Sequence, residues 1–273
     1  MADNCPLRTL SARESLLLSR LSAAGYTVFS IEEASTILDI AGPGLRKLLH
    51  RLSDKGWLKR LERGKYLIIP LQAGPAAQWT EHEYLIAAAL ATPYYLAYAT
   101  PLHYYGYSDL PLNPVTIAVT RPKRPVVIGA LTYRFVLVKP PLFFGYQPVS
   151  LLGRTIHMAE REKAVVDAFD RPHLVRGILE AAKGLYFGKA ELDWDKLIAY
   201  SLKLENQTAR RRLGFWMELL AVGEERWWSR LEKSTGHSYA LLEPAGLSTG
   251  RHNARWRLIV NLPERQLLEW QEH

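Results

Sequence analysis

The 273-residue sequence predicts an α+β protein in two parts. Three observations predict this class: a short basic segment with a regular apolar side near the N-terminus, β-branched and aromatic segments in the middle, and helical patterns over most of the C-terminal half. The stretch 71–78 is small and turn-prone, as a domain boundary should be. We therefore predict domains over 1–72 and 80–273.

The first two helices are predicted from their ends. The segment Ala12–Ala24 reads as a helix that Gly25 terminates. Ser30 and Glu33 have the spacing of a capping box, which begins a second helix that runs to about Leu38. Residues 39–43 then form a turn.

The third helix begins at Gly44 and has one apolar side. Leucines at the i, i+3, i+4 and i+7 positions predict a buried face: Leu45, Leu48, Leu49 and Leu52. Gly56 ends this helix, and Trp57–Leu61 alternates as a half-buried strand should. A tip at 62–65 and a return strand at Tyr66–Ile69 complete a hairpin. Three helices followed by a hairpin are the order of a winged helix-turn-helix.

Most of the positive charge falls in this predicted helix and hairpin. The segment Gly44–Lys65 has eight Lys and Arg against two Asp and Glu, a net of +6, while the whole chain carries +8. A solvated helix face or a protein partner is the alternative to nucleic acid, but the placement of charge favours double-stranded DNA. In the winged-helix arrangement the third helix enters the major groove and the wing touches the backbone. We predict that the helix contacts base edges through Arg46, Lys47, His50 and Arg51. We predict that the wing contacts phosphates through Lys59, Arg60, Arg63 and Lys65.

The second domain is predicted to place a sheet first and helices after it. It opens with a helix over Glu81–Ala91, a strand over Tyr95–Ala99 and a short helix over Pro101–Tyr105. Further strands are predicted at Val115–Thr120, Val126–Ile128, Tyr133–Lys139 and Arg154–Met158. Helices follow at Glu160–Asp170, Leu174–Gly184, Asp193–Leu204, Thr208–Val222 and Glu224–Lys233. The tail is predicted as a strand pair and a closing helix, at Tyr239–Glu243, Arg255–Asn261 and Pro263–Gln271.

Composition limits the possible environments. A pI near 9.5 predicts an anionic partner. The lone Cys5 excludes an internal disulfide and a cysteine-based zinc site, and it suits a reducing cytoplasm. The stretch Tyr84–Ser108 is uncharged and long enough to cross a bilayer, but its prolines make it a poor spanning helix. We interpret it as buried structure, with His103 as a core histidine, and expect a cytoplasmic protein without membrane contact.

A second group of arginines and tryptophans permits two interpretations. Arginines and aromatics of this kind form binding hot spots, which predicts a partner surface at Arg210, Arg211, Arg212, Trp227 and Trp228. In the alternative, the tryptophans pack one face and the arginines cover its rim. The sequence alone leaves both open, with the packing interpretation favoured.

Four segments in order resemble the AbiEi-type antitoxins, which are transcriptional regulators paired with nucleotidyltransferase-like toxins in phage defence. The resemblance spans roughly residues 10–220, whereas 235–273 match nothing in that family. The segments are Gly56–Tyr66, Ala99–Gly106, Pro114–Val119 and Ala159–Ala168. The resemblance implies a repressor of its own operon, whose operator is expected to carry inverted repeats. It also implies a second domain with a degenerate nucleotidyltransferase fold that neutralises a toxin encoded nearby.

Catalysis is not expected. Nucleotidyltransferases hold two metal ions with an Asp-x-Asp pair on a strand, and the corresponding segment Val115–Val119 has no carboxylate. Among nearby acidic residues, Glu162 is predicted to face solvent with Lys163, and Asp167 to make a structural contact. The chain has none of the common phosphate-loop, hydrolase or zinc-protease motifs, so we predict no enzyme activity, cofactor or metal.

Two rival functions remain. The first is a winged-helix regulator without a toxin, whose second domain senses a ligand or dimerises. The second is an active nuclease or nucleotidyltransferase, which would depend on Mg²⁺ and on particular carboxylates.

Overall fold

A computed structural model describes residues 8–74, 81–233 and 238–271, so Cys5 and most of the predicted linker lie outside the described residues. The chain is α+β, as the sequence predicts, and the strands of the described residues form three sheets. It divides into a first unit, Met1–Thr92 with Val126–Ala130, and a second unit, Pro93–Pro125 with Leu131–His273. The division falls at Thr92 and not between 72 and 80, because the helix that follows the linker groups with the first unit.

The first unit contains the predicted helices and hairpin, with small shifts at their ends. Its elements are α1 (Ala12–Ala23), β1 (Val28–Ser30), α2 (Ile31–Leu38), α3 (Pro43–Asp54), β2 (Leu58–Glu62), β3 (Lys65–Ile68), a 3-10 turn (Leu71–Ala73) and α4 (Glu83–Leu90). The strands form an antiparallel sheet in the order β1-β3-β2. The sequence pattern did not predict β1, which has only three residues between two helices.

Two helices of the first unit, α1 and α2, begin at capping boxes. The predicted capping box at Ser30 is confirmed: its hydroxyl accepts from the Glu33 amide, and the Glu33 carboxylate accepts from the Ser30 amide at 2.6 Å. An unpredicted second box, formed by Ser11 and Glu14, begins α1. Both boxes satisfy amides that a helix N-terminus would otherwise leave without partners.

The first unit has a hydrophobic core made largely of leucines. The predicted apolar side of α3 is confirmed, since Leu45, Leu48, Leu49 and Leu52 are all buried. They pack with leucines of α1, with Phe29 and with Trp57 of the hairpin. The Arg8 guanidinium lies 3.9 Å from the centre of the Trp57 ring and donates to the carbonyl of Ile69 at 2.7 Å. The N-terminal segment is thereby fixed to the end of β3.

The second unit contains a larger sheet, a small sheet and most of the helices. Its strands are β4 (Tyr94–Leu96), β5 (Val115–Val119), β7 (Leu131–Leu137), β8 (Tyr146–Leu151), β9 (Arg154–Ala159), β10 (Ala240–Leu241), β11 (Arg251–Asn253) and β12 (Leu258–Val260). Its helices are α5 (Ala99–Tyr104), α6 (Arg161–Asp170), α7 (Ile178–Gly188), α8 (Trp194–Lys203), α9 (Gln207–Leu219), α10 (Glu225–Glu232) and α11 (Glu264–Leu268), with 3-10 turns at Pro140–Leu142, Pro172–Val175 and Glu269–Gln271. Strand β6 (Val126–Ile128) belongs to the segment that groups with the first unit.

Within the second unit the larger sheet runs β7-β5-β4-β9-β8. The pairs β5/β7 and β4/β9 are parallel, whereas β4/β5 and β8/β9 are antiparallel. Every residue of β5 is buried, as expected of a strand covered on both faces. The sequence pattern missed β8, which contains Pro148 and lies at the end of the strand order, where a strand tolerates proline.

The helices of the second unit build one large apolar core. Trp216 of α9 and Trp256 near the small sheet are fully buried. A β-carbon at Gly214 would lie 2.0 Å from the Trp256 ring, so glycine is required there. Helix α7 begins at Ile178 and not at the predicted Leu174, because Arg176 takes a left-handed conformation (φ 68°) that ends the preceding 3-10 turn.

Among the described residues, none of the helices combines the length and the apolar character needed to cross a bilayer.

Candidate nucleic-acid interface

A groove in the first unit lies between α3, the start of α2 and the β2–β3 hairpin, and it measures about 740 Å³. Four residues that the sequence predicted as DNA contacts line it: Arg46, His50, Arg60 and Arg63. The structure therefore brings half of the predicted contact residues to one concave surface, although they come from a helix and a hairpin.

Helix α3 presents its part of this surface because of its amphipathic pattern. Arg46 and His50 are four residues apart and so lie one above the other on the same side of the helix. The leucines bury the opposite side, which fixes the rotation of α3 about its axis. The helix begins with Pro43 at its first position and Gly42 before it at φ 71°, a conformation that suits glycine.

Two contacts hold the hairpin in place. Gly64 at the tip has φ 79°, and its carbonyl accepts from the Ile31 amide at 2.8 Å, which fixes the tip against the first residue of α2. Tyr66 stacks on Phe29 with ring centres 5.8 Å apart. Arg60 and Arg63 are therefore carried on a hairpin whose position is set by packing.

The cationic groups in the groove are only partly neutralised. His50 Nδ1 lies 2.7 Å from an oxygen of Asp54, and the Arg60 side chain donates to the carbonyl of Glu62. Arg46 and Arg63 are exposed, and among the described residues their guanidinium groups have no hydrogen-bond or ion-pair partner. Two guanidinium groups at the groove are thus available to an anion.

Four other predicted contact residues do not line the groove. Lys47 and Lys59 are exposed on the same elements. Arg51 lies 3.6 Å from the buried carboxylate of Glu14, and Lys65 donates to the carbonyl of Ala89 and pairs with Glu62 at 3.5 Å. The charged groups of Arg51 and Lys65 thus have partners inside the first unit, and their DNA contacts stay predictions.

The buried carboxylate of Glu14 connects α1 to the end of α3. Lys55 donates to it at 2.8 Å, and the Ser11 amide donates to it as well. Burial acts to raise the pKa of Glu14, but the hydrogen bonds from Lys55 and Ser11 outweigh it and the pKa is lowered. The spacing Ser11-x-x-Glu14 could have revealed this residue. Nothing in the sequence marks the groove residues Ser53 and Tyr66.

The predicted partner surface of the second unit is largely an internal structure. Arg211 and Arg212 are buried and donate to the carbonyls of Ser238 and Leu241, respectively. Arg210 donates to the carbonyls of Ser201 and Leu202 at the end of α8. The prediction of an exposed partner surface at Arg211 and Arg212 is therefore wrong, because these guanidinium groups donate to backbone carbonyls inside the second unit.

The two tryptophans of that prediction also pack inward. Trp227 is buried, stacks near Trp194 with ring centres 5.8 Å apart, and donates to Asp195. Trp228 is half-buried and donates to the carbonyl of Val222 at 3.0 Å. The packing interpretation of these residues fits this geometry.

Helix α6 contains a buried ion pair. Lys163 is 1% exposed and donates to Asp167 and to the Tyr95 hydroxyl, so the prediction that Lys163 faces solvent is wrong. Glu162 is also buried and accepts from the Asp193 amide at 3.0 Å. The structural contact predicted for Asp167 is confirmed. Burial raises the pKa of Asp167, and the adjacent Lys163 offsets part of that effect.

Comparison with known proteins supplies a fold relative. The chain is similar to the crystal structure of the RV2827C protein from Mycobacterium tuberculosis, with a TM-score of 0.70 and 16% sequence identity, over 99% of this chain and 98% of that one. No protein-family model matches the chain, and neither does any curated protein. At that identity the similarity shows a shared fold across both units and nothing about function.

Proposed function

We propose that this chain is a DNA-binding transcriptional repressor whose first unit is a winged helix-turn-helix. The observation that supports the proposal most strongly is the groove in which Arg46 and Arg63 reach solvent with no hydrogen-bond or ion-pair partner among the described residues, although Glu32 and Asp54 also line it. A solvated helix face would not need a second cationic element beside it. The hairpin supplies such an element on the other side of the groove.

In this proposal α3 enters the major groove of double-stranded DNA. Arg46 and His50 reach base edges, where arginine pairs with two acceptors of guanine. Arg60 and Arg63 of the hairpin contact backbone phosphates, and Lys47 and Lys59 are exposed on the same helix and hairpin. Phosphate contacts make affinity depend on salt, whereas base contacts select the operator.

The antitoxin role depends on the resemblance to the AbiEi-type family. We propose that the second unit, as a degenerate nucleotidyltransferase fold, neutralises a nucleotidyltransferase-like toxin encoded nearby, while the first unit represses the shared operon. The buried strand Val115–Val119 supports a role without catalysis, because it carries no carboxylate that could hold a metal ion.

A gel-shift assay tests the DNA-binding part. Purified full-length protein is titrated onto DNA from its own promoter at 50 and 200 mM salt, with scrambled DNA of equal length as competitor. We expect retardation that the scrambled competitor does not remove. About four phosphate contacts would weaken binding by two orders of magnitude between these salt concentrations.

The toxin-neutralising part has a separate test. The neighbouring open reading frame is expressed with and without this chain, and growth is measured. We expect the neighbour alone to arrest growth and the pair to grow normally. Specific DNA binding without such rescue would favour the rival regulator that has no toxin partner, and equal retardation of scrambled DNA would overturn the repressor proposal.

A further inference from the structure

A cavity of about 230 Å³ lies wholly within the second unit. Its wall is built from α5, the loop 108–114, β7, and the turn before α7. The loop contains a cis peptide bond between Asn113 and Pro114. His103, predicted to be a core histidine, is instead exposed and lines this cavity.

The one carboxylate among the residues that line the cavity is already neutralised. Glu180 lies 2.8 Å from the ammonium group of Lys183 and accepts from the Ser108 hydroxyl at 3.0 Å. Both contacts draw its negative charge toward groups of the protein itself. Glu180 therefore does not counter the remaining cationic groups of the wall.

Two arginines and a histidine of the wall have no acidic partner. Arg176 donates to the carbonyls of Pro111 at 2.9 Å and Asn113 at 3.2 Å, which are neutral acceptors and hold the guanidinium group in place. Among residues 8–74, 81–233 and 238–271, the side chains of Arg134 and His173 have no hydrogen-bond or ion-pair partner. The wall thus combines one positioned guanidinium group with two donor side chains that are free to bind.

We propose that this cavity binds a small phosphate-bearing anion, with Arg134, Arg176 and His173 as its donors. Guanidinium groups match the geometry of phosphate oxygens, and hydrogen bonds between charged groups are the strongest that proteins make. The size limits the ligand, because pockets for drug-sized molecules span about 300–1,000 Å³. A compact phosphate monoester or free phosphate fits the space, whereas a nucleotide does not.

The site is separate from the proposed DNA contacts. All of its residues belong to the second unit, and the groove between α3 and the hairpin belongs to the first. Phosphate binding at the cavity therefore does not depend on the repressor proposal, and either can fail while the other stands.

Calorimetric titration of the full chain tests the site. The probes are inorganic phosphate and glycerol 3-phosphate at constant ionic strength, with acetate as a probe of general anion binding. We expect one saturable site for phosphate and weaker or no binding of acetate. Tighter binding of glycerol 3-phosphate than of phosphate would identify a phosphate monoester as the ligand, and the reverse order would identify free phosphate.

Matched variants locate the binding. Arg134→Met should weaken phosphate binding about 10- to 100-fold, the range expected when a hydrogen bond to a charged group is lost. Arg121→Met removes the same charge from an exposed position outside the cavity and should change affinity less than threefold. Arg46→Met tests whether phosphate binds the groove of the first unit instead, and loss of the saturable phosphate site in this variant would place the site there.

Circular dichroism verifies that each variant is folded, and His173→Asn provides a second test at a side chain without described partners. Failure of phosphate to saturate the wild-type chain would overturn the proposal. So would affinity that survives both Arg134→Met and His173→Asn, or that is lost in Arg46→Met.

Discussion

The two units of this chain use cationic side chains in opposite ways. In the first unit Arg46 and Arg63 are exposed at a groove and have no partner among the described residues. In the second unit Lys163, Arg211 and Arg212 are buried and have defined acceptors. A count of basic residues does not distinguish the two groups. What distinguishes them is whether each charged side chain already has a partner within the protein.

The physical reason is the cost of removing a charge from water. A buried side chain stays charged only when nearby carboxylates or carbonyls replace the water that it loses. Because those acceptors occupy its donor groups, the side chain is not available to a ligand. An exposed cation has no such requirement. The comparison predicts that variants of the buried group change stability, while variants of the exposed group change binding.

The largest effect is expected at the buried ion pair. Lys163→Met leaves the Asp167 carboxylate without its cationic partner in a buried site, and it should reduce the free energy of unfolding of the second unit by about 3–5 kcal/mol. Urea denaturation at pH 7, followed by tryptophan fluorescence, measures this. Lys139→Met, at an exposed position of the same unit, should change stability by less than about 0.5 kcal/mol.

The pH dependence of that variant provides its control. Burial raises the pKa of Asp167, and removing Lys163 should raise it further. A carboxyl group whose pKa is raised on folding stabilises the folded state most when the pH is below its unfolded pKa. That stabilisation is lost as the pH rises through its folded pKa. The deficit of Lys163→Met should therefore shrink as the pH falls from 7 to 5, and a constant deficit would show that packing, not charge, accounts for it.

The second effect concerns DNA binding in the first unit. The double change Arg46→Met and Arg63→Met should weaken specific binding about 100-fold, since each lost contact is worth about 1–3 kcal/mol. It should also make the affinity less dependent on salt, because the phosphate contact proposed for Arg63 is removed. Fluorescence anisotropy with labelled promoter DNA measures both quantities.

A matched double variant sharpens this comparison. Arg51→Met with Lys65→Met removes the same two charges, but these groups already pair with Glu14, Glu62 and the Ala89 carbonyl. We expect its DNA affinity to fall less than tenfold while its stability decreases. Equal losses in the two double variants would mean that total charge, and not the groove, determines binding.

Local sequence patterns predicted most of the first unit because its signals lie close together in the chain. The leucine spacing of α3 and the capping box at Ser30 each depend on residues within one or two helical turns. Strands β1, β8 and β11 were missed, because β1 and β11 have only three residues each and β8 contains Pro148. The start of α7 was misplaced because Arg176 takes a backbone conformation that its residue type does not signal.

The candidate site was predicted only in part, because a side chain's partner depends on the tertiary fold. The sequence indicated which residues of α3 are polar but not that Arg51 would pair with Glu14, 37 positions earlier. It likewise grouped Arg211 and Arg212 as a surface, although each donates to a backbone carbonyl more than 25 residues away. Only the folded structure distinguishes such pairs from residues left to bind a ligand.

The smallest effect is expected at Glu14, a buried carboxylate in the unit with the exposed cations. Glu14→Gln keeps the cap of α1 but removes the charge that Lys55 and Arg51 contact, so it should destabilise the first unit by about 1–2 kcal/mol at pH 7. The pKa of Glu14 is lowered in the folded state. Its contribution is therefore present above the ordinary glutamate pKa and is lost as pH falls through the lowered value.

Glu14→Gln should lose less stability than wild type on acidification through that range, measured by thermal unfolding at several pH values. Glu32→Gln, at an exposed position, should follow the wild-type profile, and the same profile in all three proteins would contradict a stabilising role for the buried carboxylate.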